Sequence, residues 1–142
     1  MNEKIIIYCD GGARGNPGPA AAAFIIKLEN QEKYYSEYLG ETTNNEAEYQ
    51  AIIFALKKIK HLIGNKKAKQ SIIEIRSDSE LITKQLNGEN KIKEKNLQEL
   101  FITVWNLKQD FKKVSFIYIP REENKEADKL VNQALNSQKG MF

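Results

Sequence analysis

The chain opens on Lys4 to Cys9, a run of β-branched and aromatic residues that ends at Asp10 and gives way to GGARGNPGP, dense in glycine and proline. An apolar run bounded in this way reads as a strand followed by a turn. Ala20 to Leu28 and Lys33 to Leu39 are two further β-like segments joined by the polar stretch Glu29 to Glu32, so the chain begins with an antiparallel meander. From Thr43 to Ile63 the apolar residues Ala47, Ala51, Ile52, Ala55, Leu56, Ile59, Leu62 and Ile63 recur at helical spacing, and Gly64 closes the pattern. Ser71 to Arg76 reads as a short strand and Ser79 to Leu86 as a short helix, with Asp78 on their junction. A polar link, Glu89 to Lys95, precedes a helix with Leu97, Leu100, Phe101, Val104, Leu107 and Phe111 on one face. Val114 to Ile119 is the last strand, halted by Pro120, and Asn124 caps a final helix bearing Ala127, Leu130, Val131, Ala134 and Leu135. This order predicts an α/β fold built on a mixed sheet with helices packed on its faces.

A length of 142 residues suits a single domain, here 1–136, with 137–142 as a frayed tail. The 22 Lys and Arg against 19 Asp and Glu leave a charge of +3, too slight for a polybasic protein, so composition alone does not announce a nucleic-acid binder. One cysteine, Cys9, excludes an internal disulfide framework and a thiolate zinc cluster and suggests a reducing compartment. No segment approaches the roughly 18 apolar residues of a membrane span, and the N-terminus lacks a signal-peptide pattern. The expectation is a soluble, cytoplasmic protein without membrane contact, and a monomer by default.

Four acids stand in unusual places. Asp10 closes the first strand, at the kind of sheet edge where α/β proteins bind ligands, although Asp-Gly is also an ordinary turn pair. Thr43 and Glu46 form a T-x-x-E capping box, which gives Glu46 a structural role. Glu48 has none: Ala51, Ile52 and Ala55 lie at its i+3, i+4 and i+7 positions, placing its carboxylate on the sheet-facing stripe. Asp78 repeats the Asp10 situation, with helix capping as the ordinary explanation. Asp128 lies near the apolar face of the last helix, or else pairs with Lys125 or Lys129 at its surface. Should the first and fourth strands be neighbours, these carboxylates meet at one edge, where they stay ionised only if divalent cations neutralise them. Oxygen-only ligation suits Mg²⁺ or Mn²⁺ and not zinc. Two such ions roughly 3.5 to 4 Å apart make the clamp for in-line phosphodiester displacement.

YCDGGARGNPGPAA, TTNNEAEYQAIIFAL, IRSDSELITKQLNG and PREENKEADKL, in this order and over nearly the whole chain, resemble the type 1 ribonuclease H family. The resemblance implies a ribonuclease H-like fold with a five-stranded mixed sheet, three antiparallel strands and then parallel additions, with helices on both faces. It implies endonucleolytic cleavage of the RNA strand of RNA/DNA hybrids, leaving 5′-phosphate and 3′-hydroxyl ends. Its catalytic and metal-binding acids fall on Asp10, Glu48, Asp78 and Asp128, with two Mg²⁺ per site and Mn²⁺ as a substitute. It assigns Gly11, Gly15 and Asn16 to minor-groove contact, and Thr43, Asn44 and Asn45 to the side that holds a DNA-strand phosphate. Asn96 falls on an asparagine contributing to the same phosphate pocket. Without the resemblance, GGARGNPGP is a tight hairpin; a Walker phosphate loop is excluded because no G-K-[ST] ends it.

Two departures from the family stand out. Many members insert a basic protrusion where this chain has only NGENKIKEKN, so Lys91, Lys93 and Lys95 offer modest phosphate affinity or form a solvated run, and binding is expected to be weaker and salt-sensitive. Many members also place a histidine before the fourth acid. The single histidine here, His61, lies on the lysine-rich later part of the first helix, and Arg121 is the substitute, acting electrostatically on phosphate unless a salt bridge to Glu122 or Glu126 engages it. Some members of this shorter type are implied to cleave duplex RNA as well. The alternatives are a non-catalytic hybrid-binding module of the same fold and a DNA-acting relative such as a transposase or resolvase core.

Overall fold

The computed structural model describes residues 3–139. Five strands form one sheet in the order β3-β2-β1-β4-β5: β1 (Glu3–Ala13), β2 (Gly18–Leu28), β3 (Gln31–Thr42), β4 (Ser71–Ser77) and β5 (Lys113–Tyr118). The first three are antiparallel neighbours, and β4 and β5 add in parallel on the other side of β1. Four helices complete the fold: α1 (Asn44–Ala68), α2 (Glu80–Leu86), α3 (Lys95–Lys108) and α4 (Lys125–Lys139). A single turn of 3₁₀ helix over Arg121–Glu123 links β5 to α4.

The main core follows from strand alternation. Ile5, Ile7 and Cys9 of β1, Ala22, Phe24 and Ile26 of β2, and Ile73 and Ile75 of β4 share one face, which packs on Ala51, Ile52, Ala55, Leu56 and Ile59 of α1. Ile82 and Leu86 of α2 and Leu97 and Val104 of α3 extend the same cluster. On the opposite face Ala21 and Ala23 lie under Val131 and Leu135 of α4, forming a smaller second core. Where α4 does not reach, that face is held by charge: Glu74 binds Lys4 Nζ at 2.9 Å and Arg76 Nε at 2.7 Å, and Arg76 Nη1 donates to Tyr8 Oη at 2.7 Å.

Several boundaries differ from the sequence pattern. β1 does not stop at Asp10 but pairs with β2 as far as Ala13↔Ala20, because the alanines of β2 admit the glycine-rich segment as a ladder partner. Its pairing with β4 does end there, at Cys9↔Ser77. At Gly64 (φ 84°, ψ 163°) α1 breaks, and a further turn then buries Ala68. Phe111 lies beyond α3 yet still fills the core. α4 runs to Lys139, so 137–139 are helical, while 140–142 fall outside the described residues.

Gly11 is what lets α1 lie over the end of β1. A Cβ there would stand 2.3 Å from both the carbonyl carbon and oxygen of Ala47 and 2.6 Å from the nitrogen of Glu48. Gly11 is thus buried against helix backbone, and it borders the cleft beside Asp10. Gly11→Ala is expected to destabilise the fold by at least about 2 kcal/mol in denaturant titration, since neither backbone yields without moving α1. Gly12→Ala, whose Cβ meets only Val131 Cγ1 at 3.8 Å, is the tolerated control.

Candidate active site

Asp10 and Asp78 are each the next residue after the last β1–β4 pair, Cys9↔Ser77, so the parallel register sets two carboxylates side by side at one end of the sheet. Asp78 is free for this because capping falls to Ser79, whose Oγ accepts the Ile82 N–H at 3.3 Å. Glu48 comes from the second turn of α1, brought over the strand end by the contact at Gly11. One oxygen from each of Asp10, Glu48 and Asp78 lies within 4.8 Å of the others. Asp128 borders the same cleft of about 420 Å³ but stands outside this tight group, exposed at the rim and not turned toward the apolar face.

The electrostatics are severe. Burial, then the charges of Asp78 and Asp128, then a hydrogen bond with the Asp78 carboxyl raise the Asp10 pKa to about 8. Burial also raises Glu48 well above the usual carboxylate range, and the charges of Asp10 and Asp78 push it further. The thiol of Cys9, buried directly beneath, is pushed up by desolvation and by Glu48 and Asp10. Little cationic charge opposes this. Arg121 Nε stands 3.9 Å from Asp78 Oδ2, but the arginine side chain is 89% exposed. It faces Asp78, and not the Glu122 or Glu126 that a surface salt bridge would have used. An oxygen-only set of crowded, desolvated carboxylates fits a hard divalent cation.

Three side chains that the sequence pattern did not select support the acids. Asn124 holds the cap position of α4 through its carbonyl, which accepts Asp128 N–H at 3.1 Å, but its side chain does not cap. Its Nδ2 donates to the Cys9 carbonyl at 2.8 Å and to Asp78 Oδ1 at 3.4 Å, tying β1 to the second acid, while its buried Oδ1 has no partner among the described residues. Asn132 Nδ2 donates to the carbonyl and carboxylate of Asp128 at 3.1 and 3.4 Å, and Arg14 Nη2 donates to Asn132 and Asn136 at 3.3 and 2.8 Å. The i, i+4 spacing of Asp128 and Asn132 was the available signal; nothing local marks Arg14 or the turn of Asn124.

Beside this cleft the remaining candidates form a second group. Asn44 Oδ1 accepts the Ala13 N–H at 2.7 Å, and Asn16 Oδ1 accepts the Asn44 N–H at 3.0 Å, which fastens the turn around Gly15 (φ 102°) to the start of α1. Asn45 follows on the same helical turn. Thr43 caps α1, its Oγ1 accepting the Glu46 N–H at 3.2 Å. Asn96, at the start of α3, donates from Nδ2 to Glu46 Oε1 at 2.8 Å. His61 lies away from both groups, exposed beside Phe24, Tyr35 and Phe54.

The raised pKa of Asp10 has a thermodynamic consequence. Its carboxyl keeps its proton in the fold to about pH 8, but in the unfolded chain only to about pH 4. Between these values the folded state binds more protons, so without cations stability falls as pH rises. In chelator, denaturant titrations near pH 5 and pH 8 are expected to show that fall. Asp10→Asn should reduce it, leaving the share that the buried Glu48 contributes, and be more stable than the parent by ~1–3 kcal/mol at the higher pH. An unchanged pH slope in Asp10→Asn would contradict this account.

Residues 8–134 match the model of the reverse transcriptase-like family. The chain is 44% identical to LC11-RNase H1, whose structure is in complex with an RNA/DNA hybrid, with a TM-score of 0.88 and coverage of 94% of this chain and 98% of that one. It is 34% identical to the ribonuclease HI of Halobacterium salinarum and 31% identical to the bifunctional protein Rv2228c of Mycobacterium tuberculosis, in both cases over 94% of this chain. It spans 65% of the length of the first of these two and 36% of the second. Among the described residues no helix is long and apolar enough to cross a membrane. With this sheet order, an acidic triad at the end of its central strands and these relatives, the chain belongs to the reverse transcriptase-like family, as a homologue of the ribonucleases H1.

Proposed function

We propose that this chain is an endoribonuclease that hydrolyses the RNA strand of RNA/DNA hybrids, leaving 5′-phosphate and 3′-hydroxyl ends. The observation that carries the reading is the convergence of Asp10, Glu48 and Asp78 at the end of the β1–β4 pair, in a chain similar along its length to a hybrid-bound ribonuclease H1. These three acids, with Asp128 at the rim, would hold two Mg²⁺, or Mn²⁺ in their place. Bound there, such cations lower the pKa of an attacking water and stabilise the leaving oxygen.

The chain's own contributions are positional. Asn124 holds Asp78 against the end of β1, and Asn132 orients Asp128, so the acids meet substrate with few rotamers left to fix. Arg121, extended into solvent at the mouth of the cleft, supplies positive charge where a scissile phosphate or a departing 5′-phosphate passes. Gly15, Asn16, Asn44 and Asn45 lie where a minor groove with two sugar types can be read, and Thr43 and Asn96 offer a hydroxyl and an amide to a DNA-strand phosphate. Exposed Lys91 and Lys93 on the short link and Lys95 at the start of α3 add diffuse attraction. In this reading the protein acts as a cytoplasmic monomer, where its single buried thiol needs no partner.

Matched RNA/DNA hybrid, duplex RNA and duplex DNA, each incubated with Mg²⁺, Mn²⁺ or chelator, test the proposal. RNA-strand cleavage of the hybrid is expected with either cation and not in chelator, and the duplex RNA lane decides whether that substrate is also cut. Asp10→Asn and Asp78→Asn should lower kcat by on the order of a thousandfold, at least ~4 kcal/mol of transition-state stabilisation. Cleavage surviving chelation, or DNA cut in preference to hybrid, would overturn the reading. Arg121→Ala is expected to reduce kcat/KM about tenfold, as for the loss of one charged phosphate contact; unchanged turnover would remove Arg121 from the site.

A further inference from the structure

The two groups assigned above to a DNA-strand phosphate are already engaged by an anion of the chain itself. Asn96 Nδ2 donates to Glu46 Oε1 at 2.8 Å, and the Thr43 hydroxyl reaches the same oxygen at 3.3 Å. This differs from the capping box expected of T-x-x-E. Thr43 does its half, accepting the Glu46 N–H, but the glutamate carboxylate turns to Thr43 Oγ1 and across to Asn96 on α3. Glu46 forms no ion pair among the described residues, so its charge is answered only by neutral donors and the positive end of α1. A helix N-terminus with a hydroxyl and an amide above it is a ready anion site, and here a half-buried carboxylate sits in it.

We propose that Glu46 is a resident competitor for the DNA-strand phosphate: hybrid binds at the Thr43–Asn96 pair only as the Glu46 carboxylate rotates away, and the exchange caps affinity. The inference rests on the assignment of Thr43 and Asn96 to that phosphate. A carboxylate and a phosphate oxygen compete for the same two donors, and even after rotation Glu46 remains a like charge within a few ångströms. The side chain has somewhere to go, since Glu46 also borders a groove with Leu39, Glu41, Gln50 and Phe54, and Asn96 does not line it.

The test is equilibrium binding of a labelled RNA/DNA hybrid in chelator, where no cleavage occurs, over roughly 50 to 200 mM salt. The wild type is compared with Glu46→Gln, Glu46→Lys, Asn96→Ala and the double variant Glu46→Gln with Asn96→Ala. Glutamine keeps the cap, because Thr43 accepts from the backbone of residue 46, so Glu46→Gln folds and loses only the charge. Glu46→Gln is expected to bind about fivefold tighter, and its plot of log affinity against log salt to steepen by up to about one unit as one more phosphate is engaged. Glu46→Lys should steepen it further, by the added cation. Asn96→Ala should weaken the Glu46→Gln background more than the wild type, where Asn96 is already occupied. Affinities of Glu46→Gln and Glu46→Lys within twofold of wild type, with Asn96→Ala weakening both backgrounds, would overturn the role of Glu46 and leave the phosphate assignment standing. Asn96→Ala without effect in either background would overturn the phosphate assignment and the competitor with it.

Discussion

The parallel register of β1 and β4 is the constraint on which the rest of the molecule depends. Because Cys9 pairs with Ser77, the residues that follow, Asp10 and Asp78, stand at the same level where the β1–β4 ladder ends. A slip of one residue would flip one carboxylate to the other face and separate the pair. The buried isoleucines Ile5, Ile7, Ile73 and Ile75 oppose that slip, since it would turn them out of the α1 interface. The core therefore does more than stabilise the sheet; it holds two like charges together against their repulsion.

That repulsion explains the neighbours. Bringing Glu48 in requires helix backbone to rest on strand backbone, which only glycine at position 11 permits. A protein that buries acids without matching cations keeps them protonated or pairs them with bound ions. The raised Asp10 and Glu48 values, with an arginine that reaches Asp78 only from solvent, mean that the fold holds these acids protonated unless a divalent cation takes the place of the protons. The amide groups of Asn124 and Asn132 are suited to orienting these carboxylates because they add hydrogen bonds without adding charge.

The face proposed to meet nucleic acid is built on a different principle. Around Asn16, Asn44, Thr43 and Asn96 the polar groups are short and neutral, fastened to backbone or to the Glu46 carboxylate, and suited to matching shape and hydroxyls more than charge. The net +3 and the exposed lysines of the α2–α3 link fit this economy of positive charge. In the proposed reading, the carboxylate seated on two of those donors would make affinity still more modest.

Much of this was legible in the amino-acid order. Five strands, four helices and their sequence follow from periods of two and of 3.6, and the oddly placed Asp10, Glu48 and Asp78 follow from acids interrupting those periods. Local pattern failed where a residue's partner lies far along the chain. Asn124 looked like a cap, yet its side chain meets Cys9, 115 positions away; Glu46 looked like half of a capping box, yet it meets Asn96, 50 positions away. Gly11 looked like a turn until α1 was laid across it. Asp128 shows the limit from the other side: helical spacing placed it near the apolar stripe, while packing of α4 over the alanines of β2 leaves it at the rim. The sequence by itself determined which elements form and which carry the acids, because those depend on neighbours within a turn or two. Only the tertiary structure decided how the carboxylates and amides meet, because a hydrogen bond or a repulsion depends on distance in space, and the register and helix contacts that set it have no local signature.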